Sequence, residues 1–378
     1  MPQRGYVFVV SLAFAAVLSI LCGSLLLRSA SELGQSIRAS NQSGAFHLAE
    51  AGVDRVMDNL HYGTTTNIAS TALSRGTYWA EVTQIESLRY QVVAHGLSAG
   101  ELRDIEATVA LTPQSVFQYA LFGNQQVNVS GNATTDSYDS RLGSYASQIP
   151  THDGDVGTNS TSAGGVSVGG SIFVDGQMVV GPNVSDPSSL VTGYDPAFIT
   201  GGTSPPTDTQ DVVSAPATFP LQPVVVPPEL TCNDFTVQGH TTQTLSPGTY
   251  CYRNLTIQGN ATLTASGEVT VYVTGELIAQ GNSVVGVVND PAKMLFLMSA
   301  TAEATLEQTI SGNNTFYGAI YGPQATFDIQ GNAAIYGSVI ARQVNITGNA
   351  EIHYDKALTT MDEVSNLYQP SLLSWREL

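Results

Sequence analysis

The densest group of side chains able to do chemistry in this sequence is acidic: Asp136, Asp139, Asp153 and Asp155, with Arg141 close by in Thr135-Asp136-Ser137-Tyr138-Asp139-Ser140-Arg141. Carboxylates gathered on one face serve acid/base hydrolysis of glycosidic bonds or hold calcium. The spacing does not follow an EF-hand loop, and the chain has no Gly-Gly-x-Gly-x-Asp repeats. Asx turns at chain corners account for these aspartates more economically. His47, His61, His95, His152, His240 and His353 are scattered, and neither H-E-x-x-H nor G-x-S-x-G occurs. The expectation is a chain without catalytic residues, metal or cofactor.

Of three cysteines, Cys22 lies in an apolar run, which leaves Cys232 and Cys251. Without a C-x-x-C or a neighbouring histidine pair, these two point to a disulfide in an oxidising compartment over a zinc site, with two buried thiols as the alternative. The 13 Lys plus Arg against 31 Asp plus Glu give a formal charge of −18 and no basic run. Nucleic acid is thereby excluded as a partner, because phosphate contacts need basic clusters.

The elements that position these groups begin with an uncharged run from Tyr6 to Leu27. As a helix it is about 33 Å long, the thickness of a bilayer core. It exceeds a secretory signal core and leads into Arg28 without an Ala-x-Ala site at its end, and Ile20-Leu21 before Cys22 does not suit a lipobox. From Ser29 to Leu60 the sequence is free of proline. Leu33, Ile37, Phe46, Val53, Val56, Met57 and Leu60 continue it as an amphipathic helix that ends at His61-Tyr62-Gly63. Alternation at Tyr78, Ala80, Val82, at Tyr90, Val92, Ala94, and from Ile105 to Leu111 predicts a small meander packed on that helix.

Arg4-Gly5, the long apolar helix and Phe46-His47-Leu48-Ala49-Glu50-Ala51-Gly52-Val53 resemble the N-terminal region of PilX-type type IV pilus assembly proteins and, more distantly, the tip pseudopilin of type II secretion. The resemblance covers about the first 60 residues. It implies prepilin cleavage between Gly5 and Tyr6, and Ala49, Glu50, Ala51 and Gly52 as an assembly-helix motif. Major pilins of this type carry a glutamate at the fifth mature residue, where this chain has Val10. Without that carboxylate a neighbour's buried ammonium stays unpaired, so a fibre tip, or no fibre, is expected over a repeating position.

Gly-Asn pairs punctuate the rest of the chain, among them Gly131-Asn132, Gly259-Asn260, Gly281-Asn282, Gly312-Asn313, Gly331-Asn332 and Gly348-Asn349. From Gly259 onward they lie 17 to 31 residues apart, most of them framed by short alternating apolar runs. They suit either hairpin turns of an antiparallel sandwich or corners of a solenoid, with asparagines bonding from coil to coil. The spacing favours a right-handed parallel β-helix, in which Phe316-Tyr317, Tyr336 and Tyr354 would align as an aromatic column. The region from Asn314 to Tyr354 also resembles the β-helical domain, of unassigned function, carried by other PilX-like proteins.

The expected organisation is mainly β: a pilin-like helix over 1–62, a meander over 63–114, a β-helix over 115–358 crossed by a Pro-rich segment at 203–229, and a short helix, tail or cap over 359–378. The expected function is a non-enzymatic minor pilin-like protein for assembly or adhesion. Its expected place is the inner membrane, single-pass, with the bulk periplasmic or extracellular. Its expected partners are other pilins or pseudopilins, the assembly platform, the membrane, and a surface or polysaccharide ligand. A static envelope scaffold and a tethered polysaccharide-processing enzyme are the alternatives.

Overall fold

The computed structural model describes residues 4–193, 195, 199, 212–299, 307–310, 313–361 and 367–378, with backbone alone for 4–9 and 307–310. Gly312 and stretches 203–211 and 362–366 lie outside the described residues. The chain forms two units, one of residues 1–112 with 368–378, the other of 113–367.

The first unit is built on α1 (Arg4–His61), one uninterrupted helix of 58 residues. It stops where Gly63 takes a left-handed φ of 68° and donates to the Leu60 carbonyl, a backbone turn that glycine adopts freely. The helix has two different halves. Leu12, Phe14, Leu18, Ile20, Leu25 and Leu26 are exposed, and the helix is long and apolar enough to cross a membrane. Ala45, Leu48, Ala49, Val53, Val56 and Leu60 are buried against a sheet. The expected amphipathic stripe therefore starts later than its sequence pattern: Leu33 and Ile37 remain exposed, and the sheet's reach ends where Arg38 and Gln42 hold Glu101.

The sheet is an antiparallel meander of β1 (Ile68–Leu73), β2 (Gly76–Glu86), β3 (Arg89–Ser98) and β4 (Glu101–Gln114). Ala80 faces Ala94, and Val92 faces Ala107, so the alternating residues share one buried face. The tail read over 359–378 needs correction. Leu367–Glu377 is a fifth strand beside β4, with Leu378 N–H donating to the Asp104 carbonyl and Ser371 to that of Ala110. Ion pairs Arg103–Glu377 and Arg376–Glu106 fix its end. The second unit is thus an insertion between β4 and this strand.

In the second unit short strands pair in parallel with segments about 20 residues further on: Asn233–Gly239 with Tyr252–Gly259, Gly248–Tyr252 with Val269–Val273, and Val269–Val273 with Met294–Met298. Thr315–Asp355 is 41 residues of continuous strand, about 135 Å if straight. Instead it returns on itself, since Asn332 bonds Asn313 at 2.9 Å and Asn349 bonds Asn332 at 3.1 Å. One apolar core, from Ala120 to Tyr354, fills the space these returns enclose. Among the described residues neither sheet closes into a barrel.

The stacking order departs from chain order. Leu121–Val129 and Asn132–Tyr138 pair in parallel with Val339–Ile346 and Asn349–Asp355, so the earliest strands of the unit sit on its latest. The chain then has to return along the stack. Residues 215–232 do so, passing Val180, Asn159 and Tyr321, with Phe219 packed on Phe122 and Tyr119. Proline suits this path because the strands underneath already pair their own backbone groups, and a segment short of N–H groups leaves few donors unmet. At its end Cys232 and Cys251 form a disulfide with Cα atoms 4.6 Å apart. Cys232→Ser with Cys251→Ser is expected to lower stability by about 2 kcal/mol. Equal denaturation midpoints with and without reductant would count against this.

Candidate functional site

The four aspartates do not converge. Asp139 caps the short helical turn Ser140–Leu142, and the Arg141 guanidinium binds both its oxygens at 2.8 Å, which holds its carboxyl below the usual range. Asp153 accepts from Lys356 Nζ at 2.6 Å. Asp155 accepts from the Gln177 N–H at 2.7 Å, and burial pushes it up to about 6. Among the described residues no three His, Cys, Asp or Glu side chains are gathered to hold a metal ion.

Asp136 has the most specific surroundings, because the parallel register sets it beside His353. It accepts from His353 Nδ1 at 2.7 Å and from the Tyr145 hydroxyl at 2.6 Å. An Asp-His pair supplies two of the three members of a hydrolase triad. Here, however, the imidazole is 5% exposed, with the Tyr145 ring 3.9 Å away and that of Tyr336 4.7 Å away, so aromatic rings occupy the space a substrate would need. The aromatic column itself differs from expectation. Tyr317 stacks on Tyr336 at 4.6 Å and the next member is His353, whereas Phe316 packs on Phe296 and the Tyr354 hydroxyl donates to the Phe117 carbonyl. Successive strand residues face opposite sides, so a step of one moves Tyr354 off the column.

Asp155 has a measurable consequence. Its carboxyl is protonated more readily in the folded chain than its ordinary 3.8, so ionisation costs stability as pH rises from about 4 through 6. Asp155→Asn keeps an acceptor for Gln177 and is expected to stabilise by about 2 kcal/mol at pH 7.5 and by nothing at pH 3.5. Urea midpoints at both pH values check this, and a gain at pH 3.5 equal to that at pH 7.5 would contradict it.

Along one corner the Gly-Asn pairs form a column. Asn282 donates to Asn260 at 3.2 Å, Asn349 to Asn332 at 3.1 Å and Asn132 to Asn349 at 2.9 Å, while Asn260 donates to His240 Nε2. Gly259, Gly281 and Gly331 have φ of 78°, 78° and 72°. Beside this column runs a second that the sequence reading missed: Gln280 donates to Gln258 at 3.0 Å and Gln258 to Gln238 at 3.1 Å. The repeated Gln-Gly-Asn triplets at 258–260, 280–282 and 330–332 were its signal. Residues 252–361 match the family described as "Domain of unknown function (DUF7305)". That match includes Gly259-Asn260, Gly281-Asn282, Gly312-Asn313, Gly331-Asn332 and Gly348-Asn349.

No curated protein matches this chain. Among solved structures it is similar to the competence-associated pilin ComZ from Thermus thermophilus, with 13% identity, 89% of this chain and 97% of that one covered, and a TM-score of 0.29. It is similar also to the DUF3494 domain of Shewanella frigidimarina ice-binding protein_1 (14% identity, 64% and 95% covered, TM-score 0.31). A third is a glycosylated ice-binding protein, LeIBP, from an Arctic yeast (13% identity, 63% and 91% covered, TM-score 0.32). At such scores function has to be argued from the chain's own residues.

On α1 the Ala-Glu-Ala-Gly segment has a packing role. Ala49 and Gly52 lie against the sheet, where a Cβ on Gly52 would stand 3.1 Å from that of Ala94, while Glu50 points away to His47 at 2.8 Å. Gly5 and Tyr6 belong to the helix, and Val10 is exposed.

Proposed function

We propose that this chain is a membrane-inserted, pilin-like assembly protein whose second unit is a right-handed parallel β-helix used for binding, without enzymatic activity. The observation that carries the reading is the division of α1. Its first half presents leucine, isoleucine and phenylalanine to the surroundings, and its second half is packed through alanine and glycine under a small sheet. Exposed apolar side chains over that length need lipid or neighbouring helices around them. The parallel pairing at intervals of about 20 residues and the return of Thr315–Asp355 on itself support the β-helix. The inner membrane is the proposed location, and other pilins or pseudopilins and their assembly platform are the proposed partners. Val10, in place of an acidic residue, suits a tip position.

Prepilin peptidase is expected to remove residues 1–5. Mass spectrometry of the protein from membranes should find an N-terminus at Tyr6 in cells with the peptidase and at residue 1 or 2 in cells without it. An unchanged mass in the two strains would leave a static anchored scaffold.

A further inference from the structure

We propose that the corner lined by Gln238, Gly239, Gln258, Gly259, Gln280 and Gly281 is a binding groove for a neutral, extended, β-linked polysaccharide lying along the stack. This rests on the reading of the second unit as a binding head, and it supplies the ligand class.

The groove is open, about 700 Å³ in volume, and floored by glycines spaced as the strands are, about 4.8 Å apart. Gly239, Gly259 and Gly281 have left-handed φ of 76°, 78° and 78° and are exposed, so the chain's backbone meets the groove without side chains above it. The glutamines form one wall, and the adjoining His240, Asn260 and Asn282 follow each glycine at the corner.

The hydrogen-bond count identifies what such a wall can take. An amide has two N–H donors and two acceptor lone pairs. Gln258 gives one donor to Gln238 and one lone pair to Gln280, and Asn260 does the same between His240 and Asn282. Each keeps one donor and one lone pair for a ligand. The ladder also holds these side chains in one arrangement before any ligand arrives, which removes part of the ordering cost of binding. All donors point the same way along the column, so the groove has a direction. A chain of hydroxyl-bearing rings, each both donor and acceptor, matches this pattern at every step, and its own direction is read by the column's. None of the six lining residues is charged, and the formal charge of −18 opposes polyanions. Gln238, Gln258 and Gln280 are partners in one parallel register, so the column runs in line across the three strands and suits an extended β-linked chain over a coiled α-linked one.

The test uses the full chain in detergent micelles, with microcrystalline cellulose as the solid probe and cellohexaose as the soluble one. Retention on cellulose is expected at 0.5 M NaCl as at low salt, because uncharged contacts are not screened. Gln258→Leu with Gln280→Leu is expected to weaken cellohexaose binding at least tenfold. Gln280→Glu, which preserves shape, should give a similar loss with an unchanged circular dichroism spectrum. Absence of wild-type binding to both probes, or equal binding by the well-folded Glu variant, overturns the proposal. Cleavage at Gly5-Tyr6 is measured separately, so failed glycan binding with normal cleavage removes this site and leaves the assembly reading standing.

Discussion

Gly131→Ala is expected to destabilise the second unit by at least about 3 kcal/mol, more than any single ladder asparagine can. A Cβ at Gly131 would stand 2.0 Å from the Gly348 carbonyl oxygen and 2.3 Å from its nitrogen, both backbone atoms that cannot turn aside. The two strands would have to part. This is the seam where the early strands meet the late ones, and parting it strains the Asn132–Asn349, Asn128–Asn345 and Gln126–Gln343 contacts together. Asn132→Ala, which removes one exposed rung, should cost about 1 kcal/mol. Urea unfolding followed by circular dichroism separates the cases. Equal midpoints for the two variants would show that the seam does not depend on the close approach at Gly131.

Gly96→Val is the second large effect, and it falls on the other unit. A Cβ there would be 2.0 Å from the Ala45 carbonyl oxygen and 2.5 Å from the Ala49 nitrogen, so the helix would be pushed off the face formed by Ala80, Val92 and Ala94. Loss of that packing is expected to cost at least about 3 kcal/mol. Both tryptophans of the chain, Trp79 and Trp375, belong to this unit, and Trp375 meets Phe46 edge-on at 5.9 Å. Tryptophan fluorescence should therefore report an early transition in Gly96→Val. A single transition at the wild-type position would refute the role given to this glycine.

What could be read in the sequence was local. The helix follows from a proline-free stretch, and β2 to β4 follow from residues that alternate with period two. The Gly-Asn pairs marked chain corners because glycine's left-handed φ is a local property. β1, Ile-Ala-Ser-Thr-Ala-Leu, left no trace because five of its six residues are exposed and nothing alternates. The C-terminal strand was hidden in the same way: Leu372, Leu373 and Trp375 are exposed, so its apolar residues do not mark a buried face. At the candidate site, Asp136 and His353 are 217 residues apart and adjacent only through register. Nothing short-range in either segment specifies that pairing. The expected aromatic column failed at Tyr354 for parity, since a position one residue off faces the opposite side and His353 takes its place beside Tyr336.

The placement of early strands on late ones governs when this protein can fold. Residues 121–138 have 156–158, 166–168 and 171–174 as partners on one side but lack those on the other until 339–355 have been delivered, and the first sheet is without its fifth strand until 367–377 follow. For a chain that emerges in order from its N-terminal end, both units are completed only by the last tenth of the sequence. Contacts this distant in sequence fold slowly, and the unpaired edges exposed meanwhile invite wrong partners. A segment growing from 233 to 355 can stack as it emerges, each strand on the one before, and then offer its finished edge to the waiting residues. Refolding from denaturant should accordingly show early protection of amides between 248 and 298 and late protection between 121 and 138. Until then the chain is only half committed, with open strand edges that a holding chaperone can cover.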